Sequence, residues 1–158
     1  MPKLIRSLLV WVPVAALTWM HGGVADAQTM RTMTSARQVW DREPIEVEIH
    51  YGAGTLRIDP ADPPYLYQME LRYDERVFTP VVDYDEDDRR LRLGVRSPEG
   101  SRRVNVREGS TATIALTREV PLGLDLEFGA GKAEIDLSGV ALRSLALSTG
   151  ASETSVTF

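Results

Sequence analysis

The residues of this chain with a claim to chemistry are its carboxylates, one histidine beyond position 27 and two glycine-rich loops. The densest acidic run is Asp83, Asp85, Glu86, Asp87 and Asp88. Its aspartates at 83, 85 and 87 match the opening of a helix-loop-helix calcium loop. Such a loop needs glycine at its sixth position for a sharp turn and a bidentate glutamate at its twelfth. Asp88 and Gly94 stand there, so the run reads as a solvated hairpin turn. Gly129-Ala130-Gly131-Lys132 invites a phosphate-cradle reading, in which backbone amides at a helix start meet an anion. Leu126 occupies the place of the first P-loop glycine, and Ala133 that of the Ser or Thr. Glu134 replaces the third glycine of a dinucleotide fingerprint, and no helical pattern follows. Both nucleotide readings fail.

His50 follows Ile49 in an alternating stretch and therefore lies on a wet strand face. Zinc would need further His or Cys ligands, and the chain has no cysteine. A nucleophile with an orienting acid is equally absent from the pattern. Asp59 and Asp136 follow inward isoleucines and read as turn acids, bonding backbone amides through their side chains. A glycosidase-type pair needs only two carboxyls about 5–10 Å apart, but nothing singles two out. No catalytic, cofactor-binding or metal-binding residue is assigned.

These residues sit in a repeat. VEIHYGAGTLRID (47–59), LDLEFGAGKAEID (124–136) and LALSTGASETSVT (145–157) align on Gly52, Gly129 and Gly150, each followed by alanine. Gly54 and Gly131 follow in the first two copies. Self-similarity of this kind decides the architecture. The second and third copies are 21 residues apart and the first lies 77 before the second, so other structure is inserted between them. Leu122 to Phe128 alternates apolar and acidic residues, the period of a strand with one buried face. The glycines should break the strand and form corners. One unit then holds two short strands that must stack on a neighbour to bury their apolar edge. Val47, Ile49, Leu124, Leu126, Ile135, Leu145, Leu147 and Val156 are the expected core.

Residues 1–27 read as a signal peptide. Lys3 and Arg6 precede an apolar run from Leu8 to Met20, and Ala25-Asp26-Ala27 fits cleavage between Ala27 and Gln28. The run is shorter than the roughly 18–20 apolar residues that span a bilayer. An uncleaved anchor is the alternative. Cleavage would take the formal charge from −5 to −6, and a mildly acidic chain with scattered arginines argues against nucleic acid. Residues 28–44 lack a period and read as a linker, with Trp40 either anchored on the domain or partly exposed. The domain is expected over 45–158. Tyr65–Tyr73, Val77–Tyr84 and Leu91–Val95 read as an antiparallel meander with polar turns between them. Val104–Val106 and Thr111–Glu119 read as further strands, and no long helix is expected.

The segment EVPLGLDLEFGAGKAEIDLSGVALRSLALSTGASETSV resembles toast-rack domains. VEIHYGAGTLRID is similar to the N-terminal piece of the same family. The resemblance covers about residues 45–158. It implies an exported bacterial β-solenoid-like module, related to adhesin-like domains and to the C-terminal domains of membrane proteins in the cell-wall-antibiotic response. It implies no catalytic residue and no cofactor.

The expected fold is all-β, a single-stranded β-solenoid-like coil of stacked short strands with an inserted antiparallel meander. The expected function is a non-enzymatic, adhesin-like or sensor-associated module in the periplasm or at the cell surface. Its partner would be an unidentified envelope protein or polymer. An exported hydrolase of envelope glycans and a structural spacer are the alternatives. Phe158 aligns with Leu137, so the last unit stops before its closing turn. The chain is therefore expected to be a piece of a longer product, because no lysine or proline blunts the last strand. The competing expectation is self-association through that open C-terminal rung.

Overall fold

The computed structural model describes residues 29–96 and 110–158. The signal segment and the short strand expected at Val104–Val106 lie outside them. The strands are β1 (Met30–Gln38), β2 (Ile45–Pro60), β3 (Tyr65–Asp74), β4 (Thr79–Asp85), β5 (Arg90–Arg96), β6 (Thr111–Leu116), β7 (Leu122–Asp136) and β8 (Leu142–Thr157). No helix occurs among the described residues, and the eight strands form one sheet curled into a nearly closed, barrel-like shape.

The three repeats are β2, β7 and β8, parallel and in register. Val47 pairs with Leu124 and Leu124 with Leu145; Ile49, Leu126 and Leu147 align likewise, as do Ala53, Ala130 and Ala151. Each repeat is one long strand of 15 or 16 residues, where two short strands and a corner were expected. The glycines bend the strand without ending its ladder. Gly54 and Gly131 sit at φ +124° and +119°, where only a residue without Cβ is at ease. There the alternation slips by one: β2 buries Ile45, Val47, Ile49, Tyr51 and Ala53, then Leu56 and Ile58. Both arms of the bent strand thus turn their apolar side chains onto one core.

The bend also gives β2 two different neighbours on one edge. Glu46–His50 pairs with β5, whereas Thr55–Pro60 pairs with β6, and β7 follows the whole opposite edge. β4 extends the first wall beyond β5; β3 and then β1 extend the second beyond β6. The core fills the space between, with Ile49, Leu56, Leu71, Leu91, Ile114 and Leu126 essentially inaccessible.

Three expectations need correction. Only β4 and β5 form a hairpin; β3 pairs with β1 and β6, so the three strands after the first repeat are not a meander. Alternation identifies a strand but carries no information about its partner. The segment 28–44 is not a linker, because Met30–Gln38 is an edge strand antiparallel to β3. Its outward Thr and Arg side chains hid the period. Lastly, Leu145 and Leu147 are 37% and 39% exposed, and Val156 is half-buried, although all three align with buried residues. Among the described residues β8 pairs with β7 alone, so its inward row is covered from one side only.

The corner glycines make a direct test of the stack. A Cβ on Gly129 would lie 2.2 Å from the Gly52 carbonyl oxygen, and one on Gly150 would lie 2.3 Å from that of Gly129. A Cβ on Gly52 meets only the Phe78 ring, at an ordinary 3.9 Å. Gly129→Ala should therefore cost about 3 kcal/mol, as overpacking against backbone does. Gly52→Ala, in the same repeat position, should change stability by no more than about 0.5 kcal/mol. Urea denaturation midpoints of the two variants check this.

Candidate functional site

The outward face of the bent strands carries rows of polar side chains at strand spacing. Across one arm Asp83, Arg92, Glu48 and Asp125 stand in register. Arg92 donates through Nε to Glu48 at 3.1 Å and through Nη1 to Asp83 at 3.0 Å, and Arg90 Nε lies 3.1 Å from the other Glu48 oxygen. In the next row His50 Nδ1 lies 2.9 Å from Glu127 Oε2, a surface contact with both side chains more than half exposed. Across the other arm Arg57 pairs with Asp59 at 2.6 Å and Glu134 at 3.4 Å, while Lys132 reaches Glu134 at 2.7 Å.

The two turn acids behave differently. Asp136 accepts a hydrogen bond from the Ser138 amide at 2.9 Å and so caps the turn after β7. Asp59 is instead held by both Nε and Nη2 of Arg57. The two acids line one shallow depression of about 210 Å³ with Arg57 and Glu134. Gly52, Gly129 and Gly150 lie side by side at the bend, and Gly131 packs against Gly54. In the acidic hairpin, Asp85 accepts from the amides of Asp87 and Asp88, each at 3.0 Å, which orders the β4–β5 turn. No group of three or more potential metal ligands occurs among the described residues.

A second feature escaped the sequence. Between the β1–β2 connection and the β4–β5 hairpin lies a groove of about 560 Å³, lined by Arg37, Trp40, Asp41, Tyr84, Glu86 and Arg89. Trp40 is 94% exposed there, so it does not anchor the segment to the domain. The anchor is Arg89, which donates to both Asp41 carboxylate oxygens, at 2.5 and 3.0 Å, and to the carbonyls of Glu43 and Pro44. Arg37 donates to Glu86 at 2.6 Å and lies 4.2 Å above the Tyr84 ring. These residues come from two distant stretches, 37–41 and 84–89, with no shared spacing. Trp40, the one tryptophan beyond the first 27 residues, was the only available signal.

Residues 25–158, which hold the bent repeat strands and their glycine corners, match the family model of the N-terminal domain of toast_rack (DUF2154). The chain belongs to this toast-rack family. No curated protein matches it. Among solved structures, the domain is similar in fold to a candidate cell adhesion protein of Clostridium sporogenes, with TM-score 0.63 and 20% identity. That match covers 80% of this chain and 61% of the other, so the toast-rack chain spans about three fifths of that protein's length. A candidate adhesin of Bacteroides fragilis aligns over 80% of this chain and 53% of its own, with 10% identity and TM-score 0.39.

Several toast-rack carboxylates are tuned by these contacts. The hydrogen bond from Arg89 holds Asp41 below the ordinary carboxylate range, as Lys132 does for Glu134 and Ser138 for Asp136. Burial pushes the Tyr51 phenol well above its usual value, so it stays neutral. For the three carboxylates the folded pKa lies below the unfolded one. Their contribution is complete above the unfolded value near pH 4 and is lost as pH falls through the depressed folded values. The urea midpoint should hold steady from about pH 7 to 5 and fall below about pH 4. An Asp41→Asn/Glu134→Gln/Asp136→Asn variant should show a shallower fall over the same titration.

Proposed function

We propose that this toast-rack domain is an exported, non-catalytic, adhesin-like module of the cell envelope. The reading takes β2, β7 and β8 as successive rungs of a solenoid-like coil, whose wet face meets an envelope protein or polymer. One observation carries it. Three long parallel strands, in register from Gly123 onward, hold their outward side chains in rows about 4.8 Å from strand to strand. The charged members of these rows stand on β2 and β7, with Ala146 and Ser148 beside Asp125 and Glu127 on β8. Such a regular polar face suits an extended partner and costs little ordering on contact. The fold shared with a candidate cell adhesion protein supports the same reading. So does the engagement of Asp59 with Arg57 and of Asp136 with Ser138, which leaves neither acid set up for proton transfer.

Binding of purified protein to isolated envelopes of the organism that carries the gene should be saturable. Asp125→Lys/Glu127→Lys reverses the charge on β7 and should weaken binding about tenfold with an unchanged circular dichroism spectrum. Non-saturable binding, or indifference to the double substitution, would sink the proposal.

A second reading concerns the β8 edge, where Leu145 and Leu147 are half-uncovered and the backbone groups have no strand partner among the described residues. An edge of this kind accepts another strand, and we propose a second copy of the chain as that strand's source. Sedimentation of this chain should show mass rising with concentration, and Leu147→Glu should keep it monomeric. A wild-type chain that stays monomeric at every concentration rules this out.

A further inference from the structure

We propose that the Trp40 groove is a binding site for a neutral saccharide, with the indole as its stacking platform. Tryptophan is among the side chains most buried on average, yet this one is 94% exposed beside a defined concavity. The groove's volume, about 560 Å³, falls within the range of about 300–1,000 Å³ typical of small-ligand sites. Its floor is firm, because Ile45, Leu66 and Val120, all buried, close the narrower space beneath it.

The chemistry of the walls selects the ligand class. Two guanidinium groups and two carboxylates face the groove and are already paired, Arg89 with Asp41 and Arg37 with Glu86. Within the lining these charges cancel and each is paired, so no lone charge there selects an anion or a cation. What it offers is a fixed array of N–H donors and carboxylate lone pairs. Each carboxylate has about four acceptor sites and uses only some of them here. Hydroxyl groups, donors and acceptors at once, match such a mixed array, and the C–H face of a sugar ring matches the exposed indole face. A proline-rich peptide would need several open aromatic faces. Here the Arg37 guanidinium already covers one face of Tyr84, leaving Trp40 as the free platform. The groove shares no residue with the outward face of β2, β7 and β8, so this site goes beyond the reading above.

Fluorescence of the full chain tests it. The difference between wild-type and Trp40→Ala emission isolates Trp40 from Trp11 and Trp19. The probes are the neutral hexasaccharides of β1,4-glucose, β1,4-N-acetylglucosamine, mannose and maltose-type glucose, with a proline-rich peptide and anionic vesicles as competing classes. At least one hexasaccharide should shift the Trp40 emission to shorter wavelength, saturating in the millimolar range or below. Calorimetry with that sugar should show about a tenfold or greater loss for Trp40→Ala, equivalent to about 1.4 kcal/mol. Trp40→Ala and wild type should have the same urea midpoint, since the side chain packs on almost nothing. Asp125→Lys/Glu127→Lys should retain the sugar even where envelope binding is lost, which separates failure of this site from failure of the charged face. The proposal is overturned if no hexasaccharide moves the emission, if Trp40→Ala binds sugar as well as wild type, or if only the peptide or the vesicles produce a response.

Discussion

The structure depends on how closely three strands approach at their bends. Where Gly129 passes Gly52, and Gly150 passes Gly129, the space a Cβ would need is filled by a carbonyl oxygen of the previous rung. This contact lets β2, β7 and β8 bend at the same level, and the ladders, which skip the glycine pairs, resume in the same register beyond them. If one bend were displaced along its strand, the register beyond it would slip. A one-residue slip in a strand reverses every side chain, and the apolar residues of the second arm would turn outward. The glycines therefore specify the core from a distance, without contributing a side chain to it.

The bend has a second stabilising layer. Just before the glycines, Tyr51 and Phe128 are in register and stack with parallel rings 6.2 Å apart. Both rings are buried in the core. In β8 the aligned residue is Thr149, so the aromatic ladder stops one rung short. This fits the exposure of Leu145 and Leu147. Backbone register propagates into β8 through hydrogen bonds and glycine contacts, whereas burial needs neighbours on both sides. The third repeat keeps the first property without the second.

The same distinction explains what could be read from the chain. Gly-Ala at the bend, apolar alternation and the acids after Ile58 and Ile135 are local patterns, and they located three of the eight strands and the rungs' alignment. The ends of β4 and β5 were legible too, because Asp85–Asp88 is turn chemistry between two alternating runs. Pairing was not legible. β3 crosses to β6 and β1 because the two arms of β2 demand different neighbours, a consequence of the bend that no residue of β3 announces. β1 was hidden because an edge strand needs only one sparse half-buried row, here Met33, Ser35 and Arg37 between exposed Thr32, Thr34, Ala36 and Gln38. The candidate groove was harder still. Its residues come from the end of β1, the connection after it and the β4–β5 hairpin, brought together by tertiary structure alone.

One arginine holds that groove in shape. Arg89 has φ +50°, in the left-handed region where glycine or asparagine is the usual occupant. A β-carbon there costs on the order of 1 kcal/mol or more, and a glycine would remove that cost. Glycine would also remove the guanidinium, whose four hydrogen bonds tie the hairpin to Asp41, Glu43 and Pro44. Val39 also ties the β1–β2 connection down, through its amide to the Pro64 carbonyl at 2.8 Å and its side chain against the core. Past Val39 the Arg89 bonds are what hold Asp41 to Pro44 against the hairpin. Backbone strain at one hairpin residue is thus exchanged for a fixed position of the neighbouring connection. The same exchange fixes the backbone that carries Trp40 while leaving its ring uncovered. The ring itself packs on almost nothing, so its rotamer is set only when a ligand covers its face, and part of the binding energy goes into that ordering.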